Sequence, residues 1–245
     1  MAKTTNTQNI QAWTQASNYV INKFNDEGDF YRKHVLNPAL FSLIGNLINK
    51  HVLDAGSGEG YLSRMLAQKR AIVTAVEPAE GLINHAIKRE QKEKLGITYI
   101  KADLSKWFEK KNYFDIVVSN MVFMDIPDYE MAIINCIKAL KPKGIIVFSI
   151  SHPCFDIKGK WEEDKPYVKV SNYFNEYTIQ NYIGISIHRM LSEYLNLVTD
   201  NGCAITKILE PRLPLEIAKN ETRFERDRNI PNFLVIKAVK KINSV

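Results

Sequence analysis

Apolar residues recur at helical spacing through the first fifty positions and then give way to short runs of strand length. In residues 8–24, Ile10, Trp13, Val20, Ile21 and Phe24 keep a helical period interrupted at Ser17, and a second apolar cluster covers 36–48 beside Pro38. From 51 to 151, apolar runs at 51–53, 71–76, 97–100, 114–119 and 145–150 alternate with helical stripes. The stripes are Leu62, Met65 and Leu66, then Leu82, Ile83, Ala86 and Ile87, then Met131, Ile134, Ile137 and Leu140. This is a βαβ series, which predicts parallel strands covered by helices. After Pro153 the alternation stops. Residues 155–185 hold Trp161, Tyr167, Tyr173, Phe174, Tyr177 and Tyr182 among charges and Gly, and read as an insertion. Helical spacing resumes at Ile187, Met190, Leu191, Tyr194, Leu195 and Val198 and stops at Asn201-Gly202. Runs at 204–209 and 233–239 then predict an antiparallel closing pair, with the proline-containing stretch between them read as a long loop.

Composition narrows the class without changing this layout. A chain of 245 residues, 45% hydrophobic and 24% charged, has the make-up of a globular protein and not of a disordered or collagen-like one. Its 3 Cys, Cys136, Cys154 and Cys203, are dispersed and form no C-x-x-C pair, so neither a disulfide framework nor a zinc site is expected. No window approaches the ~20 apolar residues of a membrane span, and the N-terminal residues lack a secretory h-region, so a cytoplasmic protein is expected. The net charge of +6 is scattered. The densest patches, 88–94 and 106–111, interleave Glu with Lys, so a solvated face is favoured over a nucleic-acid footprint.

The first apolar run leads directly into Asp54-Ala55-Gly56-Ser57-Gly58-Glu59-Gly60 and then a helical stripe. Glycines between a strand and a helix let a ligand approach the backbone and reach the free N–H groups of the helix start. The dinucleotide fingerprint would place a third Gly at 61, where this chain has Tyr61, so a nicotinamide oxidoreductase is disfavoured. The Gly-Lys-Ser/Thr of a nucleoside-triphosphate loop is missing as well.

Val52-Leu53-Asp54-Ala55-Gly56-Ser57-Gly58-Glu59-Gly60 resembles the first motif of the class I S-adenosylmethionine-dependent methyltransferases. The resemblance continues in order through Val76-Glu77-Pro78, Lys101-Ala102-Asp103-Leu104, Phe114-Asp115-Ile116-Val117-Val118-Ser119-Asn120 and Leu140-Lys141-Pro142-Lys143-Gly144-Ile145. It implies S-adenosylmethionine as methyl donor and S-adenosylhomocysteine as product. It also implies cofactor contacts from Asp54, Gly56, Ser57, Gly58, Gly60, Glu77, Pro78, Asp103, Leu104, Asn120 and Met121. Glu77 falls 23 positions after Asp54, near the ~20-residue offset of a ribose-binding acid. Asp103 would meet the adenine amino group, Asp54 and Gly56 the methionine end, and Glu59 would complement the first turn of the next helix. The strand exit Asn120-Met121-Val122-Phe123 lacks the paired prolines of the branch that methylates nucleic-acid and glutamine amino groups.

Ligands of open α/β sheets sit beyond the carboxyl ends of the strands, which draws attention to Ser151-His152-Pro153-Cys154-Phe155. His152 is the first candidate base and His188, beside Arg189, the second; each also has a structural reading. Tyr19, Tyr31, Arg32, Phe155, Tyr173, Tyr177 and Arg189 are candidates to shape an acceptor pocket. The aromatic segment from Trp161 to Tyr182 serves either as a lid or as an anchor to the core.

Together these features predict a single α/β unit over 1–245, with a Rossmann-like seven-stranded sheet that is mostly parallel with an antiparallel last strand and has helices on both faces. Residues 1–49 would form a helical cap, 50–151 the cofactor core, 152–186 an acceptor-side insertion, and 187–245 the closing helix and strand pair. The expected activity is methyl transfer to a hydroxyl or amine of a small molecule by a monomer or homodimer without a metal. An RNA- or protein-directed methyltransferase and a non-catalytic S-adenosylmethionine-binding protein remain as alternatives.

Overall fold

The computed structural model describes residues 4–107, 110–155, 161–162, 165–180, 184–219 and 224–242, with the side chains of 161–167 left out of that description. The predicted runs become β1 (His51–Ala55), β2 (Ile72–Val76), β3 (Thr98–Ile100), β4 (Phe114–Asn120) and β5 (Leu140–Ser151). All five are parallel neighbours in the order 3-2-1-4-5. In the segment after β5, β6 (Trp161–Glu162) pairs antiparallel with β7 (Lys165–Val168), and β8 (Tyr177–Gln180) with β9 (Ile185–His188). The closing strands are β10 (Cys203–Leu209) and β11 (Phe233–Lys240). The last strand runs antiparallel between β5 and β10, which completes a seven-stranded sheet.

Alternation along the strands divides the core between the two faces. Leu53, Val117, Ile146, Phe148, Leu234 and Ile236 pack on one side with α6 (Tyr129–Ala139) and α7 (Leu191–Asp200). Their neighbours Val52, Ile116, Val118, Val147 and Val235 pack on the other with α3 (Asn37–Ile44) and α4 (Tyr61–Gln68). A strand buried on both faces reads as a continuous apolar run, and this is why the parallel strands were conspicuous in the sequence.

Before the sheet, residues 8–24 form two helices instead of one, α1 (Asn6–Gln15) and α2 (Ser17–Lys23). Thr5 and Gln8 form a reciprocal capping box at the start of α1, and the break falls at Ala16, just before the Ser17 that interrupts the apolar period. Both helices pack against α5 (Glu80–Glu93), where Val20 meets Ala79 and Leu82. The stretch between β10 and β11, expected as a loop, contains the short helices α8 (Leu215–Ala218) and α9 (Glu225–Asn229). Leu213, Ala218 and Phe224 bury against Val35 and Phe30, and this satellite cluster holds the helices down despite the prolines. Tyr182 and the Trp161 and Tyr167 side chains of the expected lid lie outside the described residues. Among the described residues, no helix is long and apolar enough to cross a membrane.

The β1–α4 turn is held by Gly60, whose φ of 88° makes it a left-handed N-cap. A Cβ there would stand 2.5 Å from the Tyr99 hydroxyl and 3.1 Å from Ala86 Cβ. Left-handed backbone alone costs an alanine roughly 1–2 kcal/mol. Gly60→Ala is expected to lower stability by about 1–3 kcal/mol, read as a lower urea midpoint at unchanged slope. An unchanged midpoint would show that the turn relaxes freely.

Candidate active site

The carboxyl ends of β1 to β4 open into a cleft with ≈ 860 Å³ of empty space, open solvent at its mouth included. Gly56, Ser57 and Gly58 line it after β1, Glu77 and Pro78 after β2, Asp103 and Leu104 after β3, and Asn120 and Met121 at the exit of β4. Parallel strands in matched register bring these turns to one edge, as the open α/β sheet requires.

The glycine loop is tied to β2 through its backbone. Gly56 and Ser57 donate their N–H groups to the Val76 carbonyl at 2.9 and 3.1 Å. Gly56 has φ of 80°, and a Cβ there would lie 2.4 Å from Val122 Cγ1, so only glycine lets the β4 exit close over the loop. Buried Glu77 completes the join, accepting Gly58 N–H on Oε2 at 3.0 Å and Ala79 N–H on Oε1 at 2.8 Å. Burial nevertheless raises its pKa to about 7, although both hydrogen bonds favour the charged form. Ser57 Oγ is sealed from solvent and has no hydrogen-bond partner among the described residues.

Asp54 does not reach the cleft. It lies behind the loop, accepts Ser63 Oγ–H at 2.5 Å, and is raised to about 7 by burial. Gly60 likewise shapes the turn without lining the cleft. Glu59 departs from its expected role at the helix start: it is buried beside Arg64 at 2.9 Å and pins the loop to α4 from within.

At β4 the exit is fixed by a chain of polar side chains. Tyr61 donates to Asn37 Oδ1 at 3.2 Å and accepts Asn120 Nδ2–H at 2.5 Å, while Asn120 Oδ1 accepts Ser149 Oγ–H at 2.6 Å. Met121, with φ of 61°, donates its N–H to Ser149 Oγ at 3.0 Å. Tyr61 therefore becomes a wall of the cleft at the position where a dinucleotide loop would need glycine.

Helix α1 roofs the cleft with Asn6, Asn9, Ile10 and Trp13, of which Ile10 and Trp13 stood out in the sequence as members of the helical apolar stripe. Asn6 Nδ2 donates to both Asp103 oxygens at 3.2 and 3.0 Å and to Ser105 Oγ at 2.8 Å, and its Oδ1 accepts Asp128 N–H. Asn9 donates to the carbonyls of Asp125 and Ile185. Asp125 is a further acid at the site that sequence reasoning did not single out. It lines the cleft from the turn after β4, is buried, and has its pKa raised to about 7 by burial. Arg32 reaches the cleft as expected, paired with Asp29 at 2.8 Å and lying over the Phe24 ring.

The other acceptor-side expectations lie away from this cleft. His152 is buried with Nε2 2.9 Å from Glu210 Oε1 and Nδ1 accepting the Cys154 N–H, so both ring nitrogens are occupied. His188 bonds the Tyr173 carbonyl through Nε2 and stacks on Tyr177 at 4.4 Å. Arg189 is buried and donates to the carbonyls of Phe123, Ile126 and Pro127, so it braces the turn that carries Asp125. Tyr173 ties the insertion to the start of α7, its hydroxyl accepting Leu191 N–H, and Phe155 packs on His152. Tyr31 donates to Asp227 at 3.3 Å, and Tyr19 is 45% exposed beside Lys23. These side chains were prominent in the sequence because they are polar or aromatic, and the fold uses them as struts.

Comparison with known proteins agrees with this geometry. A sequence-family profile described as "Methyltransferase domain" matches residues 53–148. The ubiquinone biosynthesis O-methyltransferase of Coxiella burnetii (strain RSA 493 / Nine Mile phase I) is 35% identical over 129 residues, 51% of this chain. The match spans 55% of that relative, about half its length. The protein of the same name from Rickettsia typhi is 25% identical over 91% of this chain and 90% of its own. Among solved structures, an S-adenosylmethionine dependent methyltransferase from Mesorhizobium loti superposes with a TM-score of 0.74 at 24% identity, covering 83% of this chain and 96% of that one, which shows a shared fold. Residues 53–148 thus match a methyltransferase domain, set in a fold shared with a solved S-adenosylmethionine-dependent methyltransferase.

Proposed function

We propose that this protein transfers a methyl group from S-adenosylmethionine to a hydroxyl or amine of a small molecule. The observation that carries the reading is Glu77. Both its oxygens hold loop N–H groups, yet each keeps lone pairs for the cleft, so one carboxylate can organise the glycine loop and accept from a ribose diol. The residues present fit the cofactor on a further count: Ser57 Oγ is a buried hydroxyl with no partner among the described residues. Glu77 would hold the ribose, Asp103 and Leu104 the adenine, and Ser57, Gly58 and Asn120 the methionine end. When bound, the cofactor supplies a methyl group already activated by its sulfonium.

The chain's own contribution is then to position the acceptor and exclude water. Ile10, Trp13, Val122, Ile126 and Pro127 give the cleft an apolar roof and wall, which suits a small organic acceptor better than a polymer. The Coxiella and Rickettsia relatives carry names of O-methyltransferases, which supports a hydroxyl as the acceptor atom.

Calorimetric titration tests the reading. S-adenosylmethionine and S-adenosylhomocysteine are expected to bind with micromolar affinity and NAD not at all, with Glu77→Ala weakening the cofactor at least tenfold. A folded wild type that binds neither sulfur compound would remove the assignment.

The buried acids generate a second expectation. Asp54, Glu77 and Asp125 ordinarily titrate at 3.8, 4.5 and 3.8 but reach about 7 in the fold. Between those limits the folded chain holds protons that the unfolded chain has released, so ligand-free stability falls as pH rises through the window. His85, lowered by burial, acts in the opposite sense, but it is one group against three. The thermal midpoint without ligand is expected to be higher at pH 5.5 than at pH 7.5, whereas S-adenosylmethionine affinity rises over the same interval as Glu77 ionises. A midpoint that climbs from pH 5.5 to 7.5 would contradict the burial of these carboxyls.

A further inference from the structure

Resting on the methyltransferase reading, we infer that Asp125 is the general base of the reaction. The first support is placement. Asp125 belongs to the short turn Phe123–Asp125 that follows the β4 exit, directly beyond Asn120 and Met121, and lines the cleft together with the apolar side chains of Val122, Ile126 and Pro127. A base must lie within reach of the proton it removes, and neither candidate histidine lines this cleft.

The second support is how firmly the group is held. Two segments distant from it in sequence, α1 and β9 with the residue that follows it, converge on this one turn. Ser186 of β9 donates its Oγ–H to Asp125 Oδ1 at 2.6 Å. Asn9 of α1 donates to the Asp125 backbone carbonyl. Arg189 donates to the carbonyls of Phe123, Ile126 and Pro127 on either side. One carboxylate oxygen is thereby fixed and the other, Oδ2, has no protein donor among the described residues. A carboxylate oriented by one hydroxyl and open at its other oxygen has the geometry of a base.

The third support is electrostatic. The charged groups facing Asp125 are Arg32 and Arg189, both favouring its anion, with Tyr194 nearby; burial outweighs them and leaves the carboxyl at about 7. A carboxyl held near neutrality can take up a proton and release it again within one cycle. In the step itself, the acceptor O–H proton passes to Asp125 Oδ2 while an oxygen lone pair forms the bond to the methyl carbon. The methyl–sulfur bond breaks with its electron pair left on sulfur. The products are a methyl ether, a neutral thioether and a protonated Asp125, which returns its proton to water.

Two measurements test this assignment. The first needs no acceptor: S-adenosylmethionine and S-adenosylhomocysteine are titrated calorimetrically near pH 7 in phosphate and in Tris, whose ionisation enthalpies differ. The sulfonium would draw the nearby Asp125 into its ionised form, so wild type is expected to release a fraction of a proton with the sulfonium compound but not with the thioether. Because both compounds carry the ribose, Glu77 cancels from the difference. Asp125→Asn is expected to bind both within about threefold of wild type without that release. Release that survives in Asp125→Asn, or is missing in wild type, overturns the assignment; failure of wild type to bind either compound overturns the cofactor reading instead.

The second measurement is turnover with catechol and 3,4-dihydroxybenzoate as probes. Asp125→Asn is expected to lose about 10²–10⁴-fold in kcat, and Ser186→Ala, which keeps the carboxylate but removes its donor, to move the acid limb of the kcat profile to higher pH. An unchanged kcat in Asp125→Asn removes the base, as does release of a proton that survives in that variant.

Discussion

The junction between the first two strands is the constraint on which the rest of the site depends. Parallel pairing of Asp54 with Ala75 and of Ala55 with Val76 ends both strands at the same level, so the Val76 carbonyl can receive two N–H groups from the glycine loop. Glu77, the next residue, then takes a third N–H from Gly58. A one-residue slip in register would turn the strand faces over and break all three bonds together. The apolar packing on both sides of the sheet prevents that slip, because Val52 and Leu53 are fully buried on opposite faces. Hydrophobic alternation thus fixes register, register fixes the loop, and the loop presents the cleft.

The same burial that fixes the loop also charges the site. Among the described residues, Asp54, Glu77 and Asp125 are removed from water without a cation bonded directly to any of them, and each is raised toward neutral pH by desolvation. Hydrogen bonds from Ser63, Gly58, Ala79 and Ser186 recover part of what desolvation removes. Glu59 shows the other solution, since its buried carboxylate lies against Arg64 and commits its charge to architecture. All three of Glu59, Glu77 and Asp125 line the cleft, and among them Glu59 has its carboxylate bonded to a guanidinium.

The core was legible in the sequence because its signals are local. The apolar runs from 51 to 151, the glycines after β1 and the acid ending β2 all declare themselves within a few residues of one another. The wall opposite them was not legible. Asn6 meets Asp103 across 97 positions, Asn9 meets Asp125 across 116, and Ser186 meets Asp125 across 61. An asparagine in an N-terminal helix gives no hint of such a partner, and Asp125 sits in a turn where aspartate is commonplace. His152 and His188 drew attention by residue type, but tertiary contacts had already claimed their ring nitrogens or faces. The two short helices between β10 and β11 were hidden for a related reason, because their stability comes from Val35 and Phe30, far away in the chain.

The roof over the cleft follows a different rule from the floor. Where the sheet seals its faces with aliphatic side chains, α1 meets the cleft with Asn6 and Asn9, both buried and both hydrogen-bonded to the far wall. An aliphatic side chain pulled out into water forfeits the whole gain of its burial, whereas an amide that leaves a carboxylate or carbonyl can take water in exchange, at a net difference of about 1 kcal/mol per bond. The amide fastenings therefore set the roof's geometry at small net energy, while Ile10 and Trp13 beside them supply its apolar contact with the cleft. The arrangement places α1 directly against Asp103 and the turn of Asp125. Opening the roof would thus loosen both the end of β3 and the carboxylate beyond β4, which links access to the cleft with the assembly of its chemistry.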